Sequence, residues 1–119
     1  LDIDNFKKIN DNHGHQFGDE VLRVVADVIR LSTRSVDICG RYGGEEFMVI
    51  FPEVQLPGTI PVAERIRRGI EAVRFTKENV KVTVSGGAAE YAGSIEGLVK
   101  KADLLLYKAK ENGRNIIQY

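Results

Sequence analysis

The sequence predicts an α/β (α+β) fold: a mixed central sheet flanked by helices. Three observations carry the prediction. Apolar residues recur at helical spacing in four stretches, as in Val21, Leu22, Val25, Val28 and Ile29. Val80, Val82 and Val84 alternate with Lys81, Thr83 and Ser85, the period of a half-buried strand. A glycine pair, Gly43-Gly44, separates two short apolar runs and signals a hairpin. Hairpin partners are antiparallel, whereas strands separated by helices are joined by crossovers, so the two together give a sheet of mixed direction.

Taken in order, Leu1-Asp2-Ile3-Asp4 reads as the end of a first strand, and the absence of an initiator methionine leads us to expect further sequence ahead of Leu1. Phe6 and Ile9 begin a short helix that stops at Asn12-His13-Gly14, where glycine accepts a left-handed conformation. A second helix is expected from Asp19 to about Thr33. Val36 to Arg41 and Glu46 to Phe51 are the hairpin strands, with Gly43-Gly44 supplying positive φ between them. Pro57-Gly58 marks a turn before a third helix striped by Val62, Ile66, Ile70 and Val73, with Pro61 in its first turn. Val80 to Ser85 forms the next strand. Ser94 is the expected N-cap of a long last helix using Leu98, Val99, Ala102, Leu105, Leu106 and Ala109, with Gly113 as its stop. Ile116 and Ile117 close the order strand-helix-helix-strand-strand-helix-strand-helix-strand.

The 119 residues, 43% of them apolar, suffice for one core, so the sequence predicts a single domain over residues 1–119. Seventeen basic residues offset seventeen acidic ones, which leaves no overall positive field to gather nucleic acid or an anionic membrane. An anionic ligand would need a local basic cluster. Apolar runs such as Met48 to Phe51 are too short to span a bilayer, and the single cysteine, Cys39, forms no internal disulfide and suits a reducing cytoplasmic setting.

Two acidic clusters fall where strands end or turn: Asp2-Ile3-Asp4 and Glu45-Glu46. With the first strand beside the hairpin, their oxygens would meet at one edge of the sheet, as suits magnesium held by one or two carboxylates plus substrate phosphates. A calcium loop over Asp2 to Asn12 fails, because Phe6 takes a ligand position and Lys7 the place of the required glycine. A basic cluster, Lys108, Lys110 and Arg114, sits at the end of the last helix beside Gly113; it complements the helix dipole or clamps phosphate.

Gly43-Gly44-Glu45-Glu46-Phe47 resembles the signature of the GGDEF family in its GGEEF form. The resemblance continues through Asp2-Ile3-Asp4-Asn5-Phe6-Lys7, Ile9-Asn10-Asp11, Gly14-His15, Gly18-Asp19, Arg41-Tyr42, Val84-Ser85-Gly86-Gly87, Ala102-Asp103, Leu106 to Lys110 and Gly113-Arg114-Asn115. It implies a nucleotidyl cyclase or polymerase palm-like fold on a ferredoxin-like core, with a further helix and the start of the first strand ahead of Leu1. The implied activity is that of a diguanylate cyclase: two domains, each holding one GTP, face one another as a homodimer and form cyclic di-GMP and two pyrophosphates. A receptor or regulatory domain that binds cyclic di-GMP or GTP without turnover is the alternative.

By matching position, the resemblance implies that Asp2 and Glu45 hold Mg2+ (or Mn2+) by side chain and Ile3 by its carbonyl. Glu45 or Glu46 would take the 3′-hydroxyl proton, and Lys7 would neutralise the triphosphate. Asn10 and Asp19 would bind guanine, with His15 near the nucleotide or else closing a loop. Lys110 and Arg114 would contact phosphate. Arg34-Ser35-Val36-Asp37, with five residues between Asp37 and Gly43, matches the family's RxxD product-inhibition site, with Arg65 as a secondary contact. An upstream sensor or receiver domain is expected in the parent protein, and neither nucleic acid nor a membrane as partner of this domain.

Overall fold

The structure, a computed structural model, describes residues 1–119. Its elements follow the expected order: β1 (Asp2–Ile3), α1 (Phe6–His13), α2 (His15–Ser32), β2 (Ile38–Arg41), β3 (Phe47–Ile50), α3 (Leu56–Glu71), β4 (Val84–Gly87), α4 (Ile95–Glu111) and β5 (Ile117–Gln118). β1 pairs antiparallel with β4, β4 pairs parallel with β5, and β2 pairs antiparallel with β3. An antiparallel bridge between Asp2 and Glu46 joins the hairpin to the other three strands. The Ile3 N–H donates to the Glu45 carbonyl at 3.1 Å and the Phe47 N–H to the Leu1 carbonyl at 2.8 Å. The spatial order is therefore β2-β3-β1-β4-β5, a mixed sheet.

Side chains alternate across a strand, and that alternation divides the core. Ile3 and Val84, register partners, face a cluster built from Phe6, Ile9, Phe17, Val21, Val25 and Ile29 of the first two helices and Ile66 and Ile70 of α3. Val21, Val25, Ile66, Ile70 and Val84 are fully buried, each worth about 1.5–3 kcal/mol. Asp2 and Ser85, the next register pair, face the other way, as does Gly87, onto α4. At Gly87 a Cβ would lie 2.1 Å from the Ala102 carbonyl oxygen and 2.6 Å from the Leu106 nitrogen, so only glycine lets the helix backbone lie directly on β4.

Several boundaries differ from expectation. α2 begins at His15 rather than Asp19, because Gly14, at φ 88° and ψ 160°, reverses the chain in one residue and a second helix starts at once. The segment Pro57-Gly58 lies inside the first turn of α3, not before it, and Pro61 sits in that helix's interior. Pro57 occupies a first-turn position whose N–H has no helical partner in any case, but Pro61 removes an interior bond. β2 starts at Ile38, not Val36, because residues 34–37 close a turn through Asp37 N–H to the Arg34 carbonyl at 3.0 Å. β4 starts at Val84, not Val80: its partner β1 ends at Ile3. The alternation seen from Val80 to Val84 nonetheless buries Val82 and Val84.

The hairpin tip is a further correction. Neither Gly43 nor Gly44 has a positive φ. The loop spans residues 42–46 and closes through Tyr42 N–H to the Glu46 carbonyl at 2.8 Å. At the last helix both signals held: the Ser94 hydroxyl accepts from the Gly97 N–H at 3.1 Å, and Gly113 takes φ 104° just past the end.

Gly87→Ala should cost about 1–3 kcal/mol, because the new methyl meets backbone rather than a movable side chain. Urea unfolding checks this, and Gly44→Ala, where a Cβ meets nothing within 4 Å, is the control.

Candidate active site

A cleft of about 360 Å3 opens between the α1–α2 corner and the hairpin tip, lined by Phe6, Lys7, Asn10, His15, Asp19, Leu22, Arg41, Gly44 and Glu45. Each side chain arrives there for a local reason. Asn5 adopts a left-handed conformation, φ 55°, that turns the chain from β1 into α1. Along α1, Phe6 and Ile9 turn into the core while Lys7 and Asn10, three apart, line the cleft. On α2, His15, Asp19 and Leu22 recur at i, i+4, i+7 and share one face.

The Asn10 side-chain oxygen is buried and has no hydrogen-bond partner in the protein. A buried acceptor left unpaired costs about 1–3 kcal/mol, which a ligand bringing an N–H donor would recover. Gly18 makes room for it: a Cβ there would lie 1.8 Å from that oxygen. The Asp19 carboxylate, exposed on the same side, offers further acceptors.

Beside the cleft, Asp2 is 4% exposed and its Oδ2 lies 3.1 Å from the Lys110 Nζ of α4. Asp2, Ile3 and Glu45 supply only hard oxygen donors, on backbones hydrogen-bonded side by side. No group of three or more His, Cys, Asp or Glu side chains forms that could hold an ion by itself. This donor set fits a magnesium ion that completes its shell with phosphate oxygens and water.

The structure thus brings Lys7, Asn10, His15, Asp19 and Glu45 into one cleft and pairs Lys110 with Asp2. It separates Glu46 from Glu45. Glu46 does not line the cleft, and its Oε2 lies where a Cβ on Gly43 would come within 2.9 Å. Arg114 is exposed beyond the end of α4. Sequence reasoning quoted Arg41 without giving it a role. Its guanidinium donates to the Gly43 carbonyl at 3.1 Å and the Gly44 carbonyl at 2.7 Å, bracing the loop that presents Glu45. The signal was an arginine directly before a glycine loop whose carbonyls have no ladder partner. Phe6 and Leu22, read only as helix-face residues, also form the cleft's apolar wall.

Away from the cleft, Arg34 grips Asp37 with side-chain bonds at 2.7 and 3.2 Å, and the Arg34 N–H adds one at 2.7 Å. Arg65, on α3, donates to the Ser32 carbonyl two residues before Arg34. Arg34 and Asp37 therefore pair with each other just past the end of α2, and Arg65 reaches that helix end from α3.

The comparisons with known proteins cover nearly the whole chain. The family model described as "Diguanylate cyclase, GGDEF domain" matches residues 1–116. The chain belongs to the GGDEF family. It is 45% identical over 124 residues to the response regulator PleD of Caulobacter vibrioides, covering 98% of this chain and 27% of that one. To diguanylate cyclase A of Treponema denticola it is 42% identical over 120 residues, 97% of this chain and 32% of that one. The chain therefore spans a third or less of these curated relatives. Among solved structures, the active GGEEF domain of a diguanylate cyclase from Vibrio cholerae superposes with a TM-score of 0.91 at 36% identity, covering 98% of this chain and 77% of that one. The GGDEF domain of DgcB from Caulobacter crescentus, in complex with c-di-GMP, gives 0.90 at 35%, covering 98% and 72%. The cyclase palm-like fold that the resemblance implied is the fold observed.

The Arg34 hydrogen bonds, ahead of the charge itself, hold the Asp37 carboxyl below the ordinary aspartate value. A lowered folded-state value means that the pair's stabilisation is present above the unfolded aspartate pKa and is lost as pH falls through the lowered one. Carboxyl-carbon NMR should show Asp37 titrating below the ordinary aspartate value, and Arg34→Ala should move it upward.

Proposed function

We propose that this GGDEF domain is a diguanylate cyclase that condenses two GTP into cyclic di-GMP and two pyrophosphates as a homodimer. The observation that carries the reading is the single cleft uniting Lys7, Asn10, His15, Asp19 and Glu45 against the strand that presents Asp2. The orphan oxygen of Asn10 and the carboxylate of Asp19 are acceptors matched to the N1 and N2 donors of guanine, a pair that adenine lacks. His15 and Leu22 lie along the same α2 face and border the base.

Asp2, the Ile3 carbonyl and Glu45 would hold magnesium, or manganese in its place. When bound, that ion polarises the α-phosphate and offsets the charge of the leaving pyrophosphate. Lys7 on the cleft wall, with Lys110 in the last turn of α4 and Arg114 just beyond it, supplies positive charge to the phosphates. Of the two carboxylates able to accept the 3′-hydroxyl proton, Glu45 lines the cleft, whereas Glu46 turns toward Gly43. One domain holds one GTP, so the attacking hydroxyl comes from the nucleotide of the facing domain. A cytoplasmic setting, where GTP and magnesium are at hand, suits this chemistry; no helix of the domain is long and apolar enough to cross a membrane. In the parent protein an attached sensor or receiver region would supply the input.

Arg34, Asp37 and Arg65 form the site at which cyclic di-GMP inhibits its own synthesis. The exposed Arg34 fork and the passing Arg65 present two guanidinium groups to the product's phosphates. The same geometry supports a second reading, a receptor that binds cyclic di-GMP without making it.

Protein given GTP and magnesium should release pyrophosphate and cyclic di-GMP, and Glu45→Gln should lower the rate about a hundredfold or more. Undiminished turnover by that variant would overturn the role given to Glu45. Arg34→Ala should weaken cyclic di-GMP binding in calorimetry about tenfold or more, as expected when an arginine fork is lost. Its turnover should continue at product levels that stop the wild type. Product binding by wild type without any turnover would select the receptor.

A further inference from the structure

Outside the cleft, the most connected buried polar group is Asp4, which has no part in the roles assigned above. It is 5% exposed. Its Oδ1 accepts from the Ser85 hydroxyl at 2.7 Å, and its Oδ2 accepts from the Thr83 hydroxyl at 2.8 Å and from the Asn115 N–H at 3.0 Å. The Asn115 N–H also reaches the Ser85 hydroxyl at 3.1 Å. Asp4 thus joins three segments far apart in sequence: the end of β1, the start of β4 and the turn after α4.

That turn is strained. Gly113, Arg114 and Asn115 are all left-handed, at φ 104°, 66° and 50°. Stopping the helix needs only the first of these; with Gly113 in place, the Arg114 N–H already returns to the Ala109 carbonyl at 3.0 Å. Two further non-glycine residues in that region are unfavourable and persist only where the surroundings over-determine them. Asp4 and Ser85 hold the Asn115 backbone. Its side chain accepts from Arg67 at 2.8 Å and donates to Glu71 at 2.9 Å, both on α3.

We propose that Asp4 is a positioning residue that locks the left-handed turn after α4 and so fixes Arg114 relative to the strand carrying Asp2. The inference rests on the reading that Arg114 meets the triphosphate. A carboxylate accepting three hydrogen bonds two residues from Asp2 makes the metal-bearing strand and the phosphate-bearing turn one rigid piece. The guanine-facing residues on α1 and α2 do not depend on it. Asp4 therefore acts on the phosphate half of the ligand and not on the base.

The test measures two dissociation constants in each protein, for a nonhydrolysable GTP analogue with magnesium by calorimetry and for guanosine by NMR titration. Asp4→Asn keeps the shape but gives up the charge, and it should raise the constant for the analogue about tenfold, the scale of one weakened charge-assisted hydrogen bond, while leaving guanosine unchanged. In an Arg114→Ala background the same substitution should add little, because the group being positioned is gone. Thr83→Val, isosteric and lacking one donor to Asp4, should act in the same direction by a smaller factor, and it decides through the same cycle if the Asp4 variant does not fold. Equal weakening of both ligands, no change in either, or a full additional loss in the Arg114→Ala background overturns the proposal. A wild type that fails to bind the GTP analogue refutes the cyclase reading instead, and is told apart from failure of the positioning role because no variant is needed to see it.

Discussion

Two residues of strand, Asp2 and Ile3, sit between the hairpin and β4 and are hydrogen-bonded on both edges. Without that strand the β2–β3 hairpin would be a separate two-stranded ribbon, a unit of marginal stability in water. Its alternation does the rest: Ile3, 1% exposed, enters the core, so Asp2 is forced onto the opposite face toward α4. A one-residue slip would bury two carboxylates in the aliphatic cluster and expose the isoleucine, so the register is strongly determined. The geometry of the site follows from that register. Glu45 lies beside Ile3 because the ladder places it there, and Lys110 reaches Asp2 because Gly87 lets α4 lie on the sheet.

Burying an acidic group at 4% exposure costs on the order of several kcal/mol unless its charge is answered. Here a lysine at 3.1 Å answers it in the protein itself. The neighbouring Asp4 meets the same problem differently, with neutral donors from Thr83, Ser85 and Asn115. Two aspartates two positions apart therefore divide the work. One is neutralised by a flexible side chain that can be redirected, and the other is held by three hydrogen bonds from groups fixed in the fold. Only the first is suited to exchange partners when a ligand arrives.

The element order and the helix faces were legible in the sequence because both depend on local period, and a single buried face fixes it. The residues of the cleft were legible for another reason: they fall in short motifs whose types and spacings are distinctive. What could not be read depends on contacts between segments distant in the chain. That the strand begins only at Val84 depends on β1 ending at Ile3, its register partner near the other end of the chain. That Glu45 enters the cleft and Glu46 does not depends on the loop closing through Tyr42 and Glu46, which adjacent glutamates do not reveal. The Pro57-Gly58 pair has the composition of a turn, yet tertiary packing of Ala63, Ile66 and Ile70 carries the helix back through it.

The two halves of the site also differ in how they are built. The residues proposed to face the base stand on α1 and α2, helices whose opposite faces are locked into the main core, and their order comes from apolar packing. The residues assigned to phosphate and metal stand on a two-residue strand, a glycine loop and a turn past a helix end, where little apolar surface is available. Order there has to come from polar contacts: Arg41 bracing the glycine loop, Lys110 on Asp2, and Asp4 holding Asn115. Apolar packing is non-directional and tolerates small shifts, whereas hydrogen bonds fix distances to a few tenths of an ångström. A reacting phosphate demands that precision, and a recognised base does not, so the polar framework is concentrated on the side of the molecule where bonds would be made and broken.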